Sequence, residues 1–403
     1  MDSSKKGARV LKAKTAGPTL DWQRVRLGDV VENVNDFFID RSGEAIRYVA
    51  GEHIDEGDLK VRRSGLTSDE LIPPTFNRLF KAGDVLFHSR NIRKLAQPNF
   101  DGLTGEKLFV LRTKDQSKLL QAILPFLLQT EHFRSYVEER WAGSTNKFLN
   151  KTPLMAYEFA MPPLSRQAEL VEAFRAMEKA LEALANAVEI GRATRAALVE
   201  DALAANFEAA SAKPLGTYLT DLSYGSSSRS AYEELGYPIL RIPNVLRGSV
   251  DYSDLQRIQL NDVEYKRLAL RKGDVLLVRT NGNPQYVGRS VVIDHLHEKT
   301  VYASYLIRIR CDESTLRPAF LAEYLNAPST RQRLRGEVKS SAGNYNINIA
   351  GIKKQPICPP NVTDQDSLLL QLKDLDAAIQ ALESRIAASK SIKKQLLAET
   401  WGA

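Results

Sequence analysis

Pro162-Pro163-Leu164-Ser165-Arg166-Gln167-Ala168-Glu169-Leu170-Val171 opens the stretch that decides the fold. Steps of four and three from Leu170 give Leu170, Phe174, Met177, Leu181, Leu184, Val188, Gly191, Arg195, Leu198 and Ala202. That alternation is the seam of a coiled coil. The same walk from Leu368 gives Leu368, Leu372, Leu375, Ile379, Leu382, Ile386, Ser389, Lys393, Leu396 and Thr400. Each position lies 198 residues beyond its counterpart. Both seams are apolar for six positions, then small, then cationic, then Leu again. Heptads recur by chance in Leu-rich helices, but a shared interruption does not. Proline bars either helix from starting earlier, so Ser165, and Thr363 after Pro359-Pro360-Asn361-Val362, are the expected N-caps.

The repeat continues upstream. Ala82-Gly83-Asp84-Val85-Leu86-Phe87 answers Lys272-Gly273-Asp274-Val275-Leu276-Leu277. Leu27-Gly28-Asp29-Val30 answers Leu215-Gly216-Thr217-Tyr218, and Gly143-Ser144-Thr145-Asn146 answers Gly343-Asn344-Tyr345-Asn346. The offset drifts slowly, as loop insertions make it do. The chain therefore reads as a tandem duplication of globular domain and long helix. Five segments follow: a basic leader at 1–19 expected to be disordered, a first globular domain at 20–164, a first helix at 165–208, a second domain at 209–362 and a second helix at 363–403.

Composition agrees with this division. At 403 residues and 43% hydrophobic, the chain can build more than one ordinary core. No apolar run approaches a membrane span, and the first residues carry no secretory core, so a cytoplasmic location is expected. Cys311 and Cys358 have no metal or disulfide spacing and read as core thiols. A net charge of +7 suggests a polyanionic partner.

Within each globular unit the pattern is mixed. Strands are expected at Arg47–Val49, Val85–Phe87, Leu108–Leu111 and Tyr157–Met161, and again at Pro238–Ile242, Val275–Val278, Ser290–Ile293 and Ser304–Ile309. Helical patterns cover Leu119–Trp141 and Pro318–Arg335. The fold class is thus α+β: two similar mixed domains separated by two long helices. About 40 helical residues span about 60 Å, further than a compact domain of this size and a short link can bridge back. The helices should therefore pair as an antiparallel coiled coil, with pseudo-two-fold symmetry. Two similar domains held on such a rod suit a ligand with local two-fold symmetry, and duplex DNA is one.

These residues resemble a known family. Pro162-Pro163-Leu164-x-x-Gln167 is similar to the opening of the conserved helix in Type I restriction-modification specificity (S) subunits. Gly143-Ser144-Thr145 … Asn150 … Pro162-Pro163 and Gly343 … Asn348 … Pro359-Pro360 resemble the closing segments of that family's target recognition domains, and the Gly-Asp-Val-Leu pair fits its recurring pattern. The second helix departs by one extra residue and lacks Leu after its prolines. The resemblance implies a subunit that reads a bipartite sequence in double-stranded DNA, one half per domain, without catalysis of its own. It implies two methyltransferase (M) subunits carrying S-adenosylmethionine, and motor-nuclease (R) subunits using ATP and Mg. No cofactor or metal is expected on this chain. A duplicated scaffold joining two protein-binding domains is the alternative from a different class.

Catalytic readings are weaker. Asn283-Pro284-Gln285-Tyr286 looks like an amino-methyltransferase signature with one Pro replaced, but no Phe-x-Gly-x-Gly cofactor loop is present. No Walker loop or nuclease Pro-Asp…Glu-x-Lys pattern is found either. His295-x-His297 reads as a solvated turn. Base edges are read by side chains that donate and accept hydrogen bonds, and phosphates by cations and hydroxyls. The loops after the Gly-Asp-Val-Leu strands supply both: Ser89, Arg90, Asn91, Arg93 and Lys94 in the first domain, Arg279, Thr280, Asn281, Asn283, Gln285, Tyr286 and Arg289 in the second. The polar terminal loops add Ser144, Thr145, Asn146 and Lys147, then Ser340, Ser341, Asn344, Tyr345 and Asn346.

Overall fold

The computed structural model describes residues 22–38, 45–68, 75–205, 211–232, 235–246, 248–341 and 343–401. The leader expected at 1–19 lies outside them, as does part of the link after the first long helix. The chain divides into two compact units: residues 1–185 with 384–403, and residues 186–383. The division falls inside each long helix rather than at its ends.

The first unit holds two four-stranded sheets. One runs in the order Val31–Asn33, Leu108–Thr113, Val85–His88, Leu95–Ala96, all antiparallel. The other runs Gly65–Leu66, Arg47–Val49, Gly102–Thr104, Arg78–Phe80, with Arg47–Val49 and Gly102–Thr104 parallel. The second unit repeats the plan. Leu219–Tyr224, Leu306–Cys311, Val275–Val278 and Ser290–Val292 form its antiparallel sheet. Gln256–Ile258, Tyr237–Leu240 and Val301–Tyr302 form the other, again with one parallel pair, Tyr237–Leu240 beside Val301–Tyr302. In each unit a strand just before the long helix pairs with the start of its globular part: Glu158–Met161 with Gln23–Arg26, and Pro356–Ile357 with Lys213–Pro214.

The Gly-Asp pairs are local machinery. Gly83 and Gly273 take φ +88° and +87°, which a side chain would strain. Asp84 then accepts the Lys81 amide and two bonds from Arg112; Asp274 accepts the Arg271 amide and two bonds from Arg310. Each buried carboxylate thus ties a turn to the neighbouring strand through a bidentate guanidinium.

The long helices are Leu164–Ala205 and Val362–Trp401. All twenty seam positions are buried or half-buried. Ser165 and Thr363 lie inside the helices, which corrects their expected role as caps. Asn361 caps the second helix instead, its side chain accepting from the Asp364 amide. The one-residue departure also dissolves. Gln167 Nε2 donates to the carbonyls of Pro162 and Lys118, while its Oε1 accepts from the Leu120 amide. Gln365 repeats this with Pro360, Thr315 and the Arg317 amide. Pro162 therefore corresponds to Pro360, and Val362 takes the place of Leu164.

The seam's interruption is also built twice. In the first unit Lys393 meets Glu178 and Gln129 (2.6 Å), one helix's cation against the other's carboxylate. In the second, Arg195 meets Asp376 at 2.6 Å and Glu323 at 2.7 Å. Gly191 lies under Ile379, where an added Cβ would sit 2.9 Å from Cγ1. In each unit, as one helix advances its partner residues retreat, so the helices pair antiparallel.

Two helical expectations are subdivided. Leu119–Trp141 becomes Gln121–Ile123, Leu124–Leu127 and Glu131–Glu138, with Thr130 capping the last. Pro318–Arg335 breaks at Pro328, whose ring blocks continuation, into Pro318–Asn326 and Pro328–Arg335. Pro243 likewise turns the end of the expected strand Pro238–Ile242 into a short helix, Ile242–Val245. Cys311 is buried, its thiol pushed up to about 12 by desolvation; Cys358 is only half-buried, which corrects its reading as a core thiol.

Candidate nucleic-acid interface

The two polar loops predicted in each unit are clasped together. The Leu149 amide donates to the Ser89 carbonyl at 2.7 Å, and the Ile347 amide donates to the Arg279 carbonyl at 3.0 Å. In the first unit the terminal loop closes on itself through Ala142 and Phe148, with Gly143 at φ +86°. Ser144, Thr145, Asn146 and Lys147 stand exposed on it, and the Lys147 ammonium lies 5.6 Å from the Trp141 ring centre. In the second unit the join is a small antiparallel sheet of Lys339–Ser341, Asn344–Asn346 and Thr280–Asn281. Seven predicted residues thus share one sheet: Thr280, Asn281, Ser340, Ser341, Asn344, Tyr345 and Asn346.

The first loop after Val85–His88 is fixed by polar bonds within it and to Gly51 and Glu56. Asn91 Oδ1 accepts from the Arg93 amide, and Asn91 Nδ2 donates to Glu56. Lys94 Nζ donates to the Gly51 carbonyl. His88 Nδ1 accepts from the Arg90 amide at 3.0 Å. Burial, then Lys94, Lys107 and Arg90, depress His88 to about 4, so it is neutral and free to accept. Arg90 and Arg93 are exposed. Ser89 is a correction: it is buried, and its hydroxyl donates to the Lys107 carbonyl. Its hydroxyl and backbone fasten the loops.

In the second loop, Asn281 Oδ1 accepts from the Asn283 amide and Asn283 Oδ1 from the Gln285 amide, two successive Asx turns. Asn283 and Gln285 are exposed, Tyr286 half-buried under Arg289 at 4.7 Å. Arg279 is half-buried, stacked over Tyr224 at 4.5 Å. Its side chain is therefore largely committed within the unit. The Asn283-Pro284-Gln285-Tyr286 stretch is a turn between strands.

Sequence reasoning missed Arg331, whose guanidinium donates to the Val287 and Gln285 carbonyls and braces this loop from helix Pro328–Arg335. Its only sequence signal was a cation four residues before Arg335 on a helical stretch. His295 pairs with Asp294 at 2.7 Å, and among the described residues no group of three or more His, Cys, Asp or Glu is placed to hold a metal. No described helix is long and apolar enough to cross a membrane.

Residues 19–190 match the family model described as Type I restriction modification DNA specificity domain. The chain is 31% identical over 169 residues to the Type I restriction enzyme EcoKI specificity subunit of Escherichia coli (strain K12), and 24% identical over 172 residues to the StySPI specificity subunit of Salmonella potsdam. These matches cover 42% and 43% of this chain, and the chain spans little more than a third of each relative's length, 36% and 37%. Solved structures extend the likeness in fold over nearly the whole chain. One belongs to a study of complex assembly and conformational transition of the type I R-M system (TM-score 0.64, 19% identity, 93% of this chain and 96% of that one). Another is the Type-I restriction-modification system S subunit from M. genitalium (TM-score 0.54, 13% identity, 95% and 96%). Residues 19–190 thus match the Type I restriction modification DNA specificity domain, and the duplicated α+β plan with its paired helices shares its fold with these solved structures over nearly the whole chain.

Proposed function

We propose that this chain is the DNA sequence-specificity subunit of a Type I restriction-modification complex. Each unit reads one half of a bipartite duplex target. The chain itself performs no chemistry and binds no cofactor. Two methyltransferase subunits bring S-adenosylmethionine, and motor-nuclease subunits bring ATP and Mg. The complex works in the cytoplasm. The observation that carries this reading is the repeated clasp between two polar loops. It ties together two loops that carry exposed donors and acceptors in each unit: Arg90, Asn146 and Lys147 in the first, Asn283, Gln285 and Asn344 in the second. Side chains of these types fit base edges and phosphates.

Mapping methylated adenines in genomes of cells with and without the chain tests this. A bipartite motif should be present only with it. Arg90→Ala with Asn91→Ala should relax one half of that motif, and Asn283→Ala with Gln285→Ala the other. Each lost bidentate base contact is worth about 1–3 kcal/mol of discrimination. If both double variants alter the same base pairs, the division of labour is wrong. If the genome's methylation is indifferent to the chain, the scaffold alternative stands instead.

A further inference from the structure

The second unit contains a cleft of about 1100 Å³ that shares Gln285 and Arg289 with the second loop. One wall carries Arg289, Arg331 and Arg335. Arg331 and Arg335 stand four apart on helix Pro328–Arg335 and so share a face, where like charges repel. Arg331 is depressed to about 10, by burial first and then by Arg289 and Arg335. Its Nη1 and Nη2 rest on the carbonyls of Val287 and Gln285, and Arg289 Nη1 on the Leu246 carbonyl at 3.3 Å. Carbonyls orient a guanidinium without neutralising it. Among the described residues none of the three has an ion-pair partner. The cleft's carboxylates are Glu323 and Asp376, and both are bonded to Arg195. Four guanidiniums therefore face two carboxylates, leaving the wall of Arg289, Arg331 and Arg335 uncompensated.

We propose that this cleft seats the phosphodiester backbone of duplex DNA, with Arg335 and Arg289 donating to non-bridging phosphate oxygens. The inference rests on the DNA-reading proposal and adds a contact that carries no base information. The planar fork of arginine matches a phosphate's paired oxygens. Arg331, held by the loop's carbonyls, supplies charge and fixes the loop beside the phosphate. The cleft is far larger than one inorganic phosphate needs, and it shares Gln285 with the second polar loop.

The test uses the full chain and two duplexes, one carrying the target mapped above and one a scrambled sequence of equal length. Dissociation constants are measured over a series of salt concentrations for the unaltered chain, Arg335→Gln, Arg289→Gln and Arg335→Lys. Loss of one phosphate contact lowers the log–log salt slope by about 0.9 and weakens binding about fivefold near 0.15 M salt. Arg335→Gln should do this equally for both duplexes, with the circular-dichroism melt unchanged because Arg335 is exposed. Arg335→Lys should keep the slope. An unchanged slope in both glutamine variants overturns the proposal, as does weakening confined to the target duplex. Thermal stabilisation by pyrophosphate that Arg335→Gln abolishes, with the DNA slope intact, assigns the cleft to a free phosphate compound and also overturns it. If the unaltered chain binds neither duplex, the DNA reading fails with it; if it binds and only the substitutions are silent, the cleft alone fails.

Discussion

Gln167 and Gln365 are the residues on which each long helix is hung. Both are fully buried, and each bonds one backbone amide and two backbone carbonyls. Truncation removes three hydrogen bonds from these partly buried backbone groups, at about 1 kcal/mol each. Gln365→Ala should therefore cost roughly 3 kcal/mol, read as a lower denaturant midpoint for the second unit by hydrogen exchange, with the first unit unmoved. His88 gives a pH signature in the first unit. Its folded value, about 4, lies below the unfolded 6.5, so the neutral form is the one folding favours. Its contribution is complete above about pH 6.5 and is lost as pH falls toward 4. Protonation also removes the acceptor for the Arg90 amide. The melting temperature should fall across that window, and His88→Gln should flatten the fall; an identical pH profile in the variant would refute the assignment.

At the scale of the element, the cation in each seam explains why a coiled coil tolerates it. A lysine or arginine among Leu and Ile is costly unless paired. Lys393 meets Glu178, and Arg195 meets Asp376, at positions that correspond in the two copies. A lone polar contact of this kind favours one register, since a slip of one heptad buries each charge unpaired. Lys393→Met should destabilise the first unit by roughly 2 kcal/mol, short of a fully buried pair because Glu178 keeps some solvent. A double-mutant cycle with Glu178→Gln should show coupling of about 0.5–3 kcal/mol. Additive losses in the cycle would mean the two side chains act separately.

At the scale of the whole molecule, the compact units do not follow chain order. The last residues belong to the first unit. Trp401 stacks on Phe174, 6.4 Å between ring centres, and Phe174 on Phe126 at 4.8 Å. Leu397 joins the same core. Deleting residues 391–403 should therefore loosen the amino-terminal unit. Amide exchange should quicken around Phe126, Phe133 and Phe174, while Leu277, Ile307 and Phe320 of the second core stay protected. Loss of protection in the second unit instead would contradict the division.

The duplication, the α+β class and the seams were legible in the sequence, because periodicity and spacing are properties of order along the chain. Every seam position proved covered, including Gly191 and Arg195, because the heptad alone dictates which residues share a face. The polar loops were legible as loops for the same reason. What each loop residue does was not. Ser89 and Arg90 are neighbours of similar polarity, yet one is buried beneath Lys107 and the other is exposed. Asn283 is exposed, while Arg279, four residues earlier, is half-buried and stacked over Tyr224. The brace from Arg331 to Gln285 joins residues 46 positions apart, and the bond from Gln365 to the Arg317 amide spans 48. Such pairings depend on where sheets and helices come to rest, since a hydrogen bond selects by distance and angle in space. The sequence determined which elements exist and that they occur twice; only tertiary packing decided which polar side chains are spent holding loops and which remain exposed for a ligand.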